Sequence, residues 1–306
     1  MPPLAASAVA VGNFDGVHLG HAAIARRLRH AADEAGVPAV AVTFDPHPAA
    51  IVRPESAPVP LTTPARRAEL LLALGLDAVL VQPADAALIG LDATAFYGLV
   101  LRDRLAAIAI VEGPDFRFGA GRAGDVELLA RLAAADTARV EVVEPVLVGG
   151  EPVSSSRLRR LVAAGDVAEA ASLGTAPHRA TGRVVVGARR GTGLGFPTAN
   201  LAEIATLLPA AGVYAARAVV AGRTHPAAVH VGSAATFDST LMTVEVHLIG
   251  FAGDLYGHML DVDFLARLRD TRRFSSVEDL KTQLAADVAR AAAVVASPAA
   301  TTAREM

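Results

Sequence analysis

Between Ser7 and about Gly174 the chain alternates short runs of small and β-branched residues with stretches of helical periodicity, and after Gly182 that alternation stops. One layer architecture cannot satisfy both patterns. Strand–helix alternation builds a parallel sheet covered by helices, whereas closely spaced strands build an antiparallel sandwich or barrel. The first part reads as strand Ser7–Val11, helix Ala22–Ala35 stopped by Gly36 and Pro38, strand Ala39–Phe44, and helix 64–74 bracketed by Thr63, Pro64 and Gly75. Strand Ala78–Val81, helix 93–105, strand Ile108–Val111, helix 125–135 and strand Arg139–Val143 follow, then two short helices, Ser156–Ala164 and Val167–Leu173. The expectation is an α/β, doubly wound Rossmann-like domain. Thr175–Gly182, polar and bearing Pro and Gly, is expected to link it to an antiparallel β-barrel or sandwich with strands Arg183–Val186, Val213–Val220, Ala227–Val231 and Thr243–Phe251. A terminal helix from Val277 to about Ala296 is opened by a Ser275-x-x-Glu278 capping box. The expected domains are 1–174 and 175–306, an ordinary division for 306 residues.

Composition removes several function classes. With no cysteine there is no disulfide framework, thiolate zinc site, iron–sulfur cluster or catalytic thiol. A net charge of −3, 4% aromatics and no Trp lack the basic footprint and stacking platform of a nucleic-acid binder. Mean hydropathy is +0.41, but alanine inflates it, and charge, Gly or Pro interrupts every apolar stretch before about 18 residues, so no membrane span is expected. The first residues lack the basic segment of a signal peptide, which makes the cytoplasm the expected compartment.

Two segments carry chemistry. The turn after the first strand reads Gly12-Asn13-Phe14-Asp15-Gly16-Val-His18-Leu-Gly20-His21 and runs into a helix. A glycine-bearing turn lets main chain approach a phosphate, the helix N-terminus presents free N–H groups, and two histidines three apart can donate to the same phosphate oxygens as charge builds. Elsewhere H-x-G-H is an ordinary capping turn; directly after the first strand of an alternating domain it points to nucleotide phosphate. No G-x-x-x-x-G-K-[ST] element is present, which excludes a P-loop enzyme. The second segment, Ser154-Ser155-Ser156-Arg157-Leu158-Arg159, puts three hydroxyls and two guanidinium groups at a helix start, suited to a triphosphate or, in isolation, to a capped helix with surface arginines.

G-N-F-D-G-V-H-L-G-H, T-F-D-P-H-P at Thr43–Pro48, D-F-R-F-G at Asp115–Gly119, S-S-S-R-L-R and G-F-P-T-A-N at Gly195–Asn200 occur in that order across nearly the whole chain. Together they resemble the bacterial bifunctional riboflavin kinase/FMN adenylyltransferase (FAD synthetase) family. The resemblance implies that the first domain adenylylates FMN with ATP, releasing pyrophosphate and FAD. By it, His18 and His21 match the phosphate-stabilising histidines; Gly12, Asn13, Phe14, Asp15, Asp115, Ser154, Ser155, Ser156 and Arg159 match nucleotide-binding positions; and Phe44, Asp45, Pro46 and Phe116 line the flavin cleft.

The resemblance further implies a riboflavin kinase in the second domain. Thr198 and Asn200 match the residues that hold Mg2+ and the ATP phosphates, and Gly187, Arg190, Gly191 and Gly195 match the loop over those phosphates. Glu245 matches the base that takes the proton of the ribityl 5′-hydroxyl, and Arg269 and Phe274 match a flavin-binding segment. The chain departs from the pattern at Glu112, where an apolar residue is usual and a strand-end detail is expected. It departs also at Thr192 for a basic residue, at Ala234 and Ala235 in N-P-T-F, and at His230 for Asn. Two alternatives stay open: an FMN adenylyltransferase with a degenerate barrel, and a flavin-binding protein that does not turn over. The expected partners are small molecules: ATP, riboflavin, FMN and FAD.

Overall fold

The computed structural model describes residues 5–187, 190–233 and 242–297. By contact the chain forms two compact units, Met1–Ser155 and Ser156–Met306.

The first unit runs β1 (Ser7–Val11), α1 (Leu19–Ala35), β2 (Ala39–Asp45), α2 (Pro48–Val52), α3 (Pro64–Ala73), β3 (Ala78–Pro83), α4 (Ala86–Ile89), α5 (Ala93–Phe96), β4 (Ala107–Glu112), α6 (Val126–Ala135), β5 (Arg139–Val142) and a hairpin of β6 (Leu147–Val148) and β7 (Glu151–Pro152). Five strands pair in parallel in the order β3-β2-β1-β4-β5. All five residues of β1 are buried, as a central strand covered on both faces requires. The chain leaves β1 to build one side of the sheet and returns to β4 to build the other, so the crevice between these strands at their C-terminal ends is the topological switch point. Local signals hold well here. Thr63 caps α3 by accepting the Arg66 N–H at 3.2 Å, and Gly36 ends α1 at φ 64°. The helix expected over 93–105 is instead α5 continued by π-helical turns over Tyr97–Arg104, which bury Tyr97, Val100 and Leu101. A wider i→i+5 repeat leaves no mark in a 3.6-residue pattern.

The second unit takes in most of α7 (Ser155–Ala164), then α8 (Val167–Leu173), β8 (Arg179–Val185), α9 (Arg190–Leu194), β9 (Ala199–Ala202), β10 (Gly212–Val220), β11 (Arg223–Ser233), β12 (Met242–Leu248), β13 (Met259–Arg269) and α10 (Val277–Ala296). The six strands close in the order β10-β11-β12-β9-β8-β13, every pair antiparallel. The interior holds Tyr214 and Phe264, edge to face at 5.4 Å, with Val229, Val231, Val244 and Val246. Outside, Ala291 and Val294 of α10 cover Val213, Ala215 and Leu268.

Three further expectations need correction. Residues 175–182 are not a linker throughout: β8 begins at Arg179, Ala180 is fully buried, and a Cβ on Gly182 would lie 2.9 Å from the Ala202 carbonyl oxygen. The barrel wall starts where polarity suggests a joint, because Arg179 is neutralised by Asp261 and Asp263 and Thr181 bonds Asp261. The cap of α10 is Ser276, accepting from the Asp279 N–H at 3.0 Å, one residue beyond the expected box. Finally, β13 and β9 are strands that the periodicity did not announce.

Candidate functional site

The loop that leaves β1 is fixed from below. Gly12 N–H donates to the Val42 carbonyl at 2.9 Å, and the Thr43 hydroxyl donates to the Asn13 carbonyl at 3.0 Å. Phe14 is buried with φ 46°, a left-handed conformation held by packing. Asp15 is turned inward: its carboxylate accepts the Leu61 and Thr62 N–H groups and the Thr62 hydroxyl, each within 3.0 Å. Its contribution is therefore to fold the turn onto residues 61–62. Arg67, 4% exposed, stands 3.7 Å from Asp15 and donates to the Thr43 hydroxyl at 2.9 Å and the Phe44 carbonyl at 3.1 Å. A buried guanidinium thus ties the His-bearing turn, the end of β2 and α3 together.

His18 caps α1, and the His18 and His21 rings stack at 3.6 Å and 21° with the Phe14 ring edge-on to His21 at 5.1 Å. The His18 N–H donates to His21 Nδ1 at 3.3 Å, which leaves the proton of neutral His21 on Nε2. A Cβ on Gly20 would lie 3.1 Å from His18 Cε1 and Nδ1, so the glycine leaves room for the ring. Burial holds His18 down to about 4, partly offset by Asp15. Burial pulls His21 well below the usual imidazole range, with His18 and Arg67 adding to the effect. Both rings are neutral at neutral pH, and two neutral rings can stack where two cations would repel. His18 Nδ1 is buried with no partner among the described residues. The pair offers neutral N–H donors at a helix N-terminus over the switch point, the electrostatics of a phosphate cradle.

Other expected residues lie along the same edge of the sheet. Phe44 and Phe116 pack against the first unit's core, Phe116 stacking on Phe118 at 5.5 Å. Asp45 and Pro46 share a cis peptide at the end of β2, and Asp115 is exposed after β4. The Ser155 hydroxyl donates to the Asp15 carbonyl at 2.7 Å, fastening the start of α7 to the turn. Ser154 precedes it, while Ser156 and Arg159 belong to the second unit.

On the barrel, inward Val244 and Val246 leave Glu245 outward, facing Asn200 on β9 and His230 on β11. Two of these side chains rest over glycines: a Cβ on Gly187 or on Gly232 would force the Asn200 amide or the His230 ring to shift. Burial lowers the His230 pKa, with Arg269 adding to the effect and Glu245 opposing it. His247 bonds the Pro197 carbonyl through Nδ1 at 2.8 Å, holding the segment that carries Thr198. Gly191 receives Phe196 N–H at 2.9 Å, and Gly195 turns at φ 89°. Arg269 is committed to Asp287 of α10, with three contacts of 2.7–3.1 Å, and lies 5.8 Å from the Phe274 ring. Its first role is thus to moor α10. The side chains of Arg190 and Thr192, and residues Ala234 and Ala235, lie outside the described residues.

The FAD synthetase family model matches residues 2–157, and the riboflavin kinase model matches residues 174–295. The bifunctional riboflavin kinase/FMN adenylyltransferase of Pseudomonas fluorescens is 39% identical over 290 residues, covering 94% of this chain and 93% of that one. The chain belongs to this bifunctional family. Its Escherichia coli K12 member is 34% identical over 278 residues, covering 90% of this chain and 89% of its own. A crystal structure described as a macrolide-efflux protein from Streptococcus pneumoniae superposes with a TM-score of 0.84 at 32% identity, over 94% of both chains. The efflux description is that protein's own; among the described residues here, no helix is long and apolar enough to cross a membrane.

Against the family's motifs, the structure adds two residues whose place no motif marks. Arg67 sits in a helix beside Arg66, which pairs with Glu69. Nothing in the sequence separates the buried arginine from its neighbour. His247 looks like any outward residue of an alternating strand until Pro197 is brought against it.

Proposed function

We propose that the chain makes FAD from riboflavin in two ATP-dependent steps, with 175–306 phosphorylating riboflavin and 1–174 adenylylating the FMN formed. The observation that carries this reading is the stacked, neutral His18–His21 pair at the switch point, in one chain with a Glu245 that faces Asn200. In the first step the ribityl 5′-oxygen attacks the γ-phosphorus of ATP. Glu245 accepts the hydroxyl proton, and the bond to the departing ADP breaks. In the second, an FMN phosphate oxygen attacks the α-phosphorus of ATP and pyrophosphate leaves. His18 and His21 donate to the oxygens on which charge grows, and no covalent enzyme intermediate is needed. Phe44 and Phe116 supply apolar surface for the flavin ring, and Ser154–Ser156 with Arg159 are assigned to the triphosphate by their motif.

The donor set also suits Mg2+. Thr198 and Asn200 offer neutral oxygens, and no group of three or more His, Cys, Asp or Glu side chains among the described residues could hold an ion alone. A hard cation that keeps its waters and enters on ATP phosphates fits two such ligands. Bound there, it would neutralise phosphate charge.

One incubation with ATP and magnesium, split between riboflavin and FMN, tests the whole reading by chromatography of the flavins. FAD is expected from both substrates, through FMN in the first. FAD from FMN alone leaves an adenylyltransferase with a silent barrel, and no product from either leaves a flavin-binding protein. Glu245→Ala is expected to lower FMN formation by about 100-fold or more with adenylylation intact. His21→Ala is expected to cost the adenylyl step on the order of 2–4 kcal/mol with phosphorylation intact. Equal losses in both assays would refute the division of labour.

A further inference from the structure

Glu112, a departure from the family pattern, ends β4 beside the switch point and is more than a strand-end detail. The Cα register between β1 and β4 stops at Val9 and Ile110, where the two strands begin to part. Val11, two residues further along β1, still directs its N–H toward β4, and the acceptor it finds is Glu112 Oε1 at 2.6 Å. The main-chain carbonyl of Glu112 meanwhile accepts the Val143 N–H at 2.8 Å. One residue therefore bridges both neighbouring segments, its side chain replacing the carbonyl that a continuing β4 would have offered. Gly12 is held from the opposite side by Val42. The two amides that precede the His-bearing turn are thus anchored on either flank.

We propose that Glu112 is a positioning residue of the adenylyl-transfer site, which holds the end of β1 as a neutral carboxylic acid and, when ionised, opposes polyphosphate binding at the crevice above it. This rests on the assignment of adenylyl transfer to the first unit. Glu112 is 3% exposed, and burial raises its pKa well above the usual carboxylate range against the single opposing effect of the Val11 N–H. Among the described residues no charged side chain pairs with it. β1 carries no titratable group, and Val142 of β5 stands opposite Glu112. The nearest charges of β5, Arg139 and Glu141, pair with each other and with Glu34 and Arg27 of α1. Around the turn stand Asp15, bound to residues 61–62 and near Arg67, and the neutral His18 and His21. Asp115, three residues on, is exposed. A carboxylate formed here would add a negative charge beside the crevice, with no ion-pair partner among the described residues.

The test follows FAD formation from FMN and FMN formation from riboflavin in parallel from pH 6 to 9.5, in the full chain and in Glu112→Gln and Glu112→Val. Gln keeps an acceptor for Val11 and cannot ionise; Val does neither. In the unaltered chain the KM for ATP in adenylyl transfer is expected to rise about tenfold or more across this range with no matching rise in the kinase assay, and a flat profile overturns the proposal. Glu112→Gln is expected to keep the neutral-pH rate and lose the rise, and Glu112→Val to lose the rise and also run slower at every pH. Should Glu112→Gln not fold, the Val profile decides. A rise that persists in either variant, or a Glu112→Gln enzyme impaired at all pH values, would overturn the proposal. If the unaltered chain makes no FAD, the adenylyl assignment fails separately. Calorimetric titration with inorganic pyrophosphate then judges Glu112: weakening with pH in the unaltered chain and level in Glu112→Gln upholds it, and parallel behaviour sinks it.

Discussion

Lowering the pH from 7 to 4 should loosen the first unit through His18, and the size of the effect follows from its burial. The folded chain keeps His18 neutral down to about 4, whereas an unfolded imidazole takes its proton near 6.5. The stability from this neutral ring is fully present above pH 6.5 and is lost as pH falls through the interval to about 4. At about 1.4 kcal/mol per pH unit, that interval corresponds to about 3 kcal/mol. For a unit of this size it amounts to a fall in Tm of about 6–12 °C. His21 acts in the same direction. Glu112 acts in the other, because its raised pKa gives stability that is present below the ordinary carboxylate value of 4.5 and lost as pH rises. The clean observable is therefore a difference between proteins. Calorimetry in phosphate-free buffer on the full chain and on His18→Gln should show the gap between their first-unit transitions change by about 6–12 °C over this range. Hydrogen exchange of β1 and α1 identifies which transition is which. Glu112→Gln should make the acid loss steeper. Parallel Tm curves for the full chain and His18→Gln would refute the reasoning, since burial of residue 18 would then carry no linked proton.

Gly20→Ala should misplace the His18 ring, which stands 3.1 Å from the added carbon, and slow adenylyl transfer by about 10–100-fold while riboflavin phosphorylation continues. Gly187→Ala should do the converse through Asn200 at 2.2 Å, leaving FAD formation from supplied FMN unchanged. Asp287→Ala strips the partner from Arg269, whose side chain is 17% exposed, and should destabilise the barrel unit by about 3–5 kcal/mol, read as an earlier calorimetric transition. Loss of protection in α10 by hydrogen exchange should accompany it.

The parts of this molecule that a sequence displays are those decided by neighbours along the chain. Thr63, Pro64 and Gly75 announce α3 because a cap and a stop act within one turn of the helix. His18, Gly20 and His21 announce the cradle because three positions within one helical turn must cooperate. What stays hidden is decided across distance. Arg67 meets Thr43 over 24 residues, His247 meets Pro197 over 50, and Glu112 meets Val11 over 101. No local pattern separates Arg67 from Arg66, or a bridging Glu112 from an ordinary strand end. β13 is masked differently: Asp261, Asp263 and Arg269 stand among its apolar residues and dilute its alternation. Their neutralising partners, Arg179 and Asp287 among them, come from other elements. Thr175–Gly182 was polar for the same reason, and half of it is wall.

Closure of β13 onto β10 has a consequence for how the folded chain behaves at high concentration. Among the described residues each barrel strand already has two neighbours, so none of these strands offers an incoming one a row of free main-chain donors and acceptors. The five-stranded sheet does have rims, at β3 and β5, and they are unequally guarded. β5 bears Arg139 and Glu141, tied to α1, whereas β3 is Ala-Val-Leu-Val-Gln-Pro, with no charged residue of its own and a closing proline. In a stock that slowly clouds, self-association by strand addition has its opening at β3, and a lysine in place of exposed Val81 is where a formulation would start.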